Sequence, residues 1–283
     1  MPLAAQSRAD SVRAADTAVA PAAESLRNPS PSPPSLPDTA VRAGLADALA
    51  GQDLLYGGHF QAAGRYFSDL AARYPDDPTG PVLEASALIW WAEAREDDAF
   101  AADSIDSLLT EGAARARRTA AAAATDGERV AGLFWVGTAL GYRARESDLH
   151  GRYWRAVADA KAMRAALDSA LALDSTCVDC RLGLAIYDYA LARAGLLTRL
   201  VAHLLGLDGG NAAAAVAALH RVSEHGTLTR LEARWLYASA LLRESRRGDP
   251  GRREAQQIIA ALAAQFPDNP VFRRFLGRAG AGP

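Results

Sequence analysis

The chain has 283 residues, a formal net charge of −2 and a pI near 6.2. That is room for one large domain or two small ones, and it argues against the basic surface that general nucleic-acid binding needs. Half of the residues are hydrophobic, 65 of them alanine, and only 7% are aromatic; alanine is the strongest helix former, so an all-α protein with close small-residue contacts is predicted.

Residues 1–38 are rich in Ala, Ser and Pro, with Pro29, Pro31, Pro33, Pro34 and Pro37 close together. Such a segment buries too little apolar surface to offset its ordering entropy, and it reads as a disordered spacer or tether. The first residues, Met1 to Gln6, resemble the small-residue tail of a secretory signal whose front is missing. Export to the periplasm or envelope is therefore expected, with a cytoplasmic location as the alternative.

From residue 39 the pattern becomes a series of amphipathic helix pairs. Ala71-Ala72-Arg73-Tyr74-Pro75-Asp76-Asp77-Pro78 is matched by Ala263-Ala264-Gln265-Phe266-Pro267-Asp268-Asn269-Pro270. In each, the first proline stops a helix and the Asp after it, Asp76 or Asp268, suits the cap of the next. Upstream of Pro75, Gly51, Ala63, Phe67 and Leu70 alternate small and large residues; Ala255, Ile259 and Leu262 take the offsets of the last three before Pro267. A third helix end, Leu167, Ala170, Leu171 and Leu173 with Asp174 and Ser175, follows the same plan. The pairs fall at roughly 39–75, 79–124, 126–174, 176–225 and 228–266, with a capping helix near 269–277 and a flexible tail over 278–283.

These residues resemble the tetratricopeptide-repeat (TPR) superfamily over 39–277, and among its members the irregular, long-helix type of bacterial envelope proteins. The resemblance implies a right-handed superhelix of antiparallel helix pairs with a concave groove for a peptide or protein partner. It also implies that the first helix of each pair lines that groove, over roughly 39–56, 79–95, 126–146, 176–193 and 228–246. A single pair cannot bury its own apolar face, so the array should share one continuous core.

Cys177-Val178-Asp179-Cys180 is the sharpest local motif. Asp174, Ser175 and Thr176 suit a helix N-cap, which predicts both thiols in a first helical turn. Three readings stay open: packing residues, a stabilising or reversible disulfide, and a redox or metal role. A thioredoxin-type site would follow a strand, whereas this motif follows a helix. Zinc would need two further ligands, and His59, His150, His203, His220 and His225 form no ligand pattern, so no metal or other cofactor is expected. No glycine-rich phosphate loop or nucleophile elbow occurs, and an enzyme is not expected.

Arg115, Arg117 and Arg118 form one basic cluster, and Arg243 to Arg253 another that is mixed with acids; the second reads as a solvated helix end and turn. Leu196 to Leu207 is apolar along one helical face but too short to span a bilayer. Most aromatic residues, Trp90, Trp91, Trp135, Tyr153, Trp154, Tyr189 and Trp235 among them, should fill space between stacked pairs. Tyr142, Arg143, Arg145, Tyr187 and Asp188 combine aromatic, basic and acidic groups near helix surfaces, and they are the candidate partner-binding residues, with burial of the tyrosines as the alternative. The expected function is a non-enzymatic scaffold binding a protein or peptide. The alternatives are an accessory component of a cell-envelope assembly and a thiol-redox protein using Cys177 and Cys180.

Overall fold

The computed structural model describes residues 42–194 and 210–280. The Ala/Ser/Pro-rich segment and the apolar stretch Leu196 to Leu207 lie outside the described residues. Among the described residues the chain forms helices and turns and no strand. In chain order the helices are α1 (Arg42–Tyr56), α2 (Phe60–Arg73), α3 (Thr79–Arg95), α4 (Ala102–Ala122), α5 (Asp126–Leu149), α6 (Tyr153–Leu173), α7 (Arg181–Arg193), α8 (Ala212–His225), α9 (Arg230–Glu244), α10 (Pro250–Gln265) and α11 (Pro270–Gly280). The protein is all-α.

The helix limits follow from local chemistry. Thr125 and Glu128 close a capping box at the start of α5, each side chain taking the other residue's backbone N–H. The Asn211 side chain accepts from the Ala214 amide to cap α8. Pro250 opens α10, where a missing N–H costs nothing. The capping helix continues to Gly280, so the first part of the expected flexible tail is helical. Continuing the turns of α11 keeps Ala279 buried against α10.

Each helix packs on the next in the chain. The small–large pattern is visible as interlocking: a Cβ at Gly51 would run into the Phe67 ring. Between pairs the approach is closer still. A Cβ on Gly80 of α3 would lie 2.5 Å from the Ala71 amide nitrogen of α2, and one on Gly132 of α5 would lie 2.6 Å from that of Ala120 on α4. Glycine at these two helical positions lets backbones touch, which is what an alanine-rich chain with few large side chains requires.

The chain then returns on itself. The Asn269 side-chain amide donates to the Tyr56 carbonyl at 2.9 Å. Gln52 of α1 donates to the Leu228 carbonyl before α9 at 3.0 Å. Arg274 of α11 donates to the carbonyls of Glu93 and Ala94 at the C-terminal end of α3, and also pairs with Glu96 at 2.8 Å. A guanidinium in that position meets the Ala94 carbonyl, one of the last four that a helix cannot pair itself, and adds a second bond to the Glu93 carbonyl, which also takes the Glu96 amide. Tyr56, Trp90, Phe266 and Phe272 pack together at the junction, all of them buried. Helices α9 to α11 are thereby fastened to α1 and α3.

Candidate functional site

The return of the chain sets α9 beside α3 and α5, with the turn before it on α1. Gln52 and Tyr56 share a face of α1, Ser86, Trp90 and Glu93 a face of α3, Tyr142 and Arg145 a face of α5, and Glu232 and Trp235 a face of α9. Spacings of three and four place each set in line on its helix. The Tyr142 hydroxyl donates to Glu232 Oε2 at 2.6 Å, tying α5 to α9 across 90 residues. The Trp90 ring lies 5.2 Å from that of Tyr56 and 5.1 Å from that of Trp235. Tyr56 and Trp90 are buried, whereas Tyr142 and Glu232 keep some accessible surface.

The electrostatics are those of a carboxylate placed in low dielectric. Burial pushes the Glu232 carboxyl above its usual range, opposed by the Tyr142 hydrogen bond and the nearby Arg145. Burial, reinforced by the Glu232 charge, drives both tyrosine hydroxyls, Tyr142 and Tyr56, well above their ordinary value. Arg145 sits further out, its side chain 36% exposed, beside Glu146 and 4.0 Å from Glu93. Glu146 itself is buried and its carboxylate lies 3.9 Å from His150 Nε2.

Of the five candidate partner-binding residues, the structure brings Tyr142 and Arg145 together. Arg143 turns the other way: its guanidinium makes two bonds to buried Asp159 on α6, at 2.6 and 2.8 Å, and one to Thr110 on α4. The Asp159 hydrogen bonds raise its already high pKa, and its task is joining helices. Tyr187 is buried on α7, with the Arg164 guanidinium 5.1 Å from its ring centre. Asp188 is partly buried on the same helix. Tyr153 and Trp154, expected to fill space between pairs, are instead 65% and 74% exposed at the start of α6.

Cys177 and Cys180 are joined by a disulfide with Cα atoms 5.5 Å apart, and both are fully buried. They lie in the turn before α7 and not in its first turn, because α7 begins only at Arg181. Asp174 does cap, but locally, taking the Thr176 amide and hydroxyl. Asp179, between the cysteines, is buried and accepts from the amides of Thr227 and Thr229 and from the Thr229 hydroxyl at 2.6–3.2 Å. The motif holds the turn that launches α9, and hence Glu232. Among the described residues no group of three or more His, Cys, Asp or Glu side chains could hold a metal ion.

Glu232 escapes a reading of the sequence, because a carboxylate in the first turn of a helix reads as an ordinary partner of the helix dipole. Its one sequence signal is the position three residues before Trp235 on a predicted inner helix. No protein-family model, curated protein or solved structure matches this chain.

Proposed function

We propose that residues 42–280 form a TPR-like superhelix of helix pairs acting as a non-enzymatic scaffold, with a peptide or protein partner held on its inner face. One observation carries this reading: α1, α3, α5 and α9, first helices of their pairs, meet through polar and aromatic side chains, Tyr142 on Glu232 and the Trp90 ring between those of Tyr56 and Trp235. Aromatic and arginine side chains at the centre of a concave surface are the usual energetic anchors of recognition. Arg145 and Glu93, more exposed than Tyr56 and Trp90, would offer the charged contacts.

A second reading, an accessory component of an envelope assembly, draws support from the Cys177–Cys180 disulfide, since such bonds persist in oxidising compartments. Their complete burial weighs against the thiol-redox alternative, because exchange requires an attacking thiolate to reach a sulfur.

The test is a peptide array probed with the full chain, repeated with Arg145→Ala on the inner face and with Arg129→Ala at an exposed position of the same helix. Selective loss with Arg145→Ala at an unchanged melting temperature supports the inner face. Equal binding by both variants overturns it.

A further inference from the structure

Three of the four inner helices are packed from within the same chain, by α11. Its Phe272 ring lies 6.4 Å from that of Tyr56 on α1 and 5.6 Å from that of Trp90 on α3. The Phe275 ring lies 6.2 Å from that of Trp235 on α9. Beside the rings, Arg274 donates to the Glu93 and Ala94 carbonyls and pairs with Glu96, and Arg278 lies 3.6 Å from the same Glu96 carboxylate. The Glu93 carboxylate is the one that Arg145 faces at 4.0 Å. Helix α11 thus covers the aromatic part of the inner face, next to Arg145.

The same helix is weakly fixed by its own sequence. It has 11 residues, short for a helix that must hold in water without packing. Gly277 falls within it and Gly280 ends it, and glycine disfavours helix. Its outer side, Arg273, Leu276, Gly277 and Arg278, is exposed. The acidic partner of its arginines is open to water as well, the Glu96 side chain being 49% exposed, so salt and solvent compete for those pairs. What holds α11 is the Phe272–Phe275 pair, with Arg274 between them.

We propose that α11 is an autoinhibitory segment, a built-in occupant of the inner face that a partner helix of the same chemistry displaces. That chemistry is an amphipathic helix with two phenylalanines three residues apart, arginines between and after them, and no acidic residue. The rings of Tyr56, Trp90 and Trp235 receive the phenylalanines, and the negative end of α3 with Glu96 receives the arginines. Anchors three and four residues apart are how a helix is read by a groove. An acidic helix would meet like charge at Glu93 and Glu96. The inference rests on the inner-face reading and names the class of partner for it.

Two measurements on the full chain test it. In native hydrogen exchange, the amides from Arg274 to Ala279 should exchange together, at least about tenfold faster than those of α9 and α10, because the segment opens without them. Raising sodium chloride from about 0.05 M to about 0.5 M should widen that gap by screening the Glu96 pairs. In fluorescence anisotropy, a labelled peptide of residues 268–280 should bind Arg274→Ala at least about tenfold more tightly than wild type, whose own α11 competes at high effective concentration. The same peptide carrying Phe272→Ala and Phe275→Ala should not bind. Exchange of α11 no faster than α9 and α10 overturns the proposal whether or not Arg274→Ala folds, and it leaves the inner-face reading to the Arg145→Ala comparison. Equal affinity of wild type and folded Arg274→Ala for the peptide, or equal binding of the two peptides, overturns it as well.

Discussion

The turns at Pro75 and Pro267 are nearly the same in sequence and do different things. In the first, the Asp77 carboxylate accepts from the Thr79 amide, two residues on, and no farther. The turn's carbonyls are gathered by Arg115 of α4, which reaches Ala71, Tyr74 and Asp77 at 3.3–3.4 Å. In the second, Asn269 makes the same local contact to the Val271 amide but is fully buried, and its amide nitrogen donates to the Tyr56 carbonyl 213 residues away. An amide side chain can donate as well as accept, and an aspartate at neutral pH cannot. That residue type, together with the Tyr56 carbonyl that packs against it, separates the turn that closes the array from the turn that only continues it.

That contrast predicts unequal costs. Asn269→Ala leaves two buried backbone groups, the Tyr56 carbonyl and the Val271 amide, without partners, and should cost about 3 kcal/mol in thermal or denaturant unfolding. Asn269→Asp should recover the Val271 contact alone. Gly58, in the turn after α1, meets the same region: it has φ +85°, and a Cβ there would lie 2.7 Å from the Asp268 carbonyl oxygen. Gly58→Ala should therefore weaken the closure as well, by about 1–3 kcal/mol.

The Asp174–Cys180 turn belongs with the closing turn. Asp179→Ala removes the acceptor of two backbone amides and should also cost about 3 kcal/mol. Replacing both cysteines by serine should cost about 2 kcal/mol, since the loop they close is short and the chain-entropy term is correspondingly small. If the double serine variant loses far more than Asp179→Ala, the disulfide and not the carboxylate positions α9.

Closure also leaves a mark on pH dependence. Glu232, on the returning helix, has a native pKa raised by burial, so the folded state holds its proton more tightly than the unfolded chain. Its contribution is most favourable below the ordinary carboxylate pKa and is lost as pH rises through the native value. Glu84, half-buried on α3 and likewise raised by burial, acts in the same direction. Melting temperatures of wild type and Glu232→Gln should therefore converge toward acid pH, with the variant relatively more stable near neutrality. Divergence in the opposite sense would show that the Tyr142 bond outweighs desolvation.

How far the sequence discloses this arrangement depends on the range of the interaction. Helix existence and several helix limits are legible because they rest on local signals: Pro75, Pro267, the periodic Phe60, Ala63, Phe67 and Leu70. The interlock of Gly51 with Phe67 is legible for the same reason. Arg143 is not, because a surface arginine and one clamped to a buried aspartate look alike until α6 is placed beside α5. The Tyr142–Glu232 contact is less visible still. Tyr142 stands out as an aromatic on an inner helix, but Glu232 acquires its meaning from a return of the chain that repeats at 34-residue spacing do not encode.

The smallest effect completes the comparison. Asp77→Ala removes one N-terminal capping contact in a turn whose proline and Arg115 remain, and it should cost about 1 kcal/mol or less. The carboxylate is partly exposed, so water replaces it at the Thr79 amide, and no buried group is stranded. Asp77→Asn, which copies the residue at the closing turn, tests whether the side chain or its surroundings confer the long-range role. The amide finds no carbonyl like that of Tyr56 here, so the variant should unfold within a few tenths of a kcal/mol of wild type, as exposed substitutions do. A stabilisation comparable to the loss in Asn269→Ala would mean that the two turns differ by that one residue and not by what packs against them.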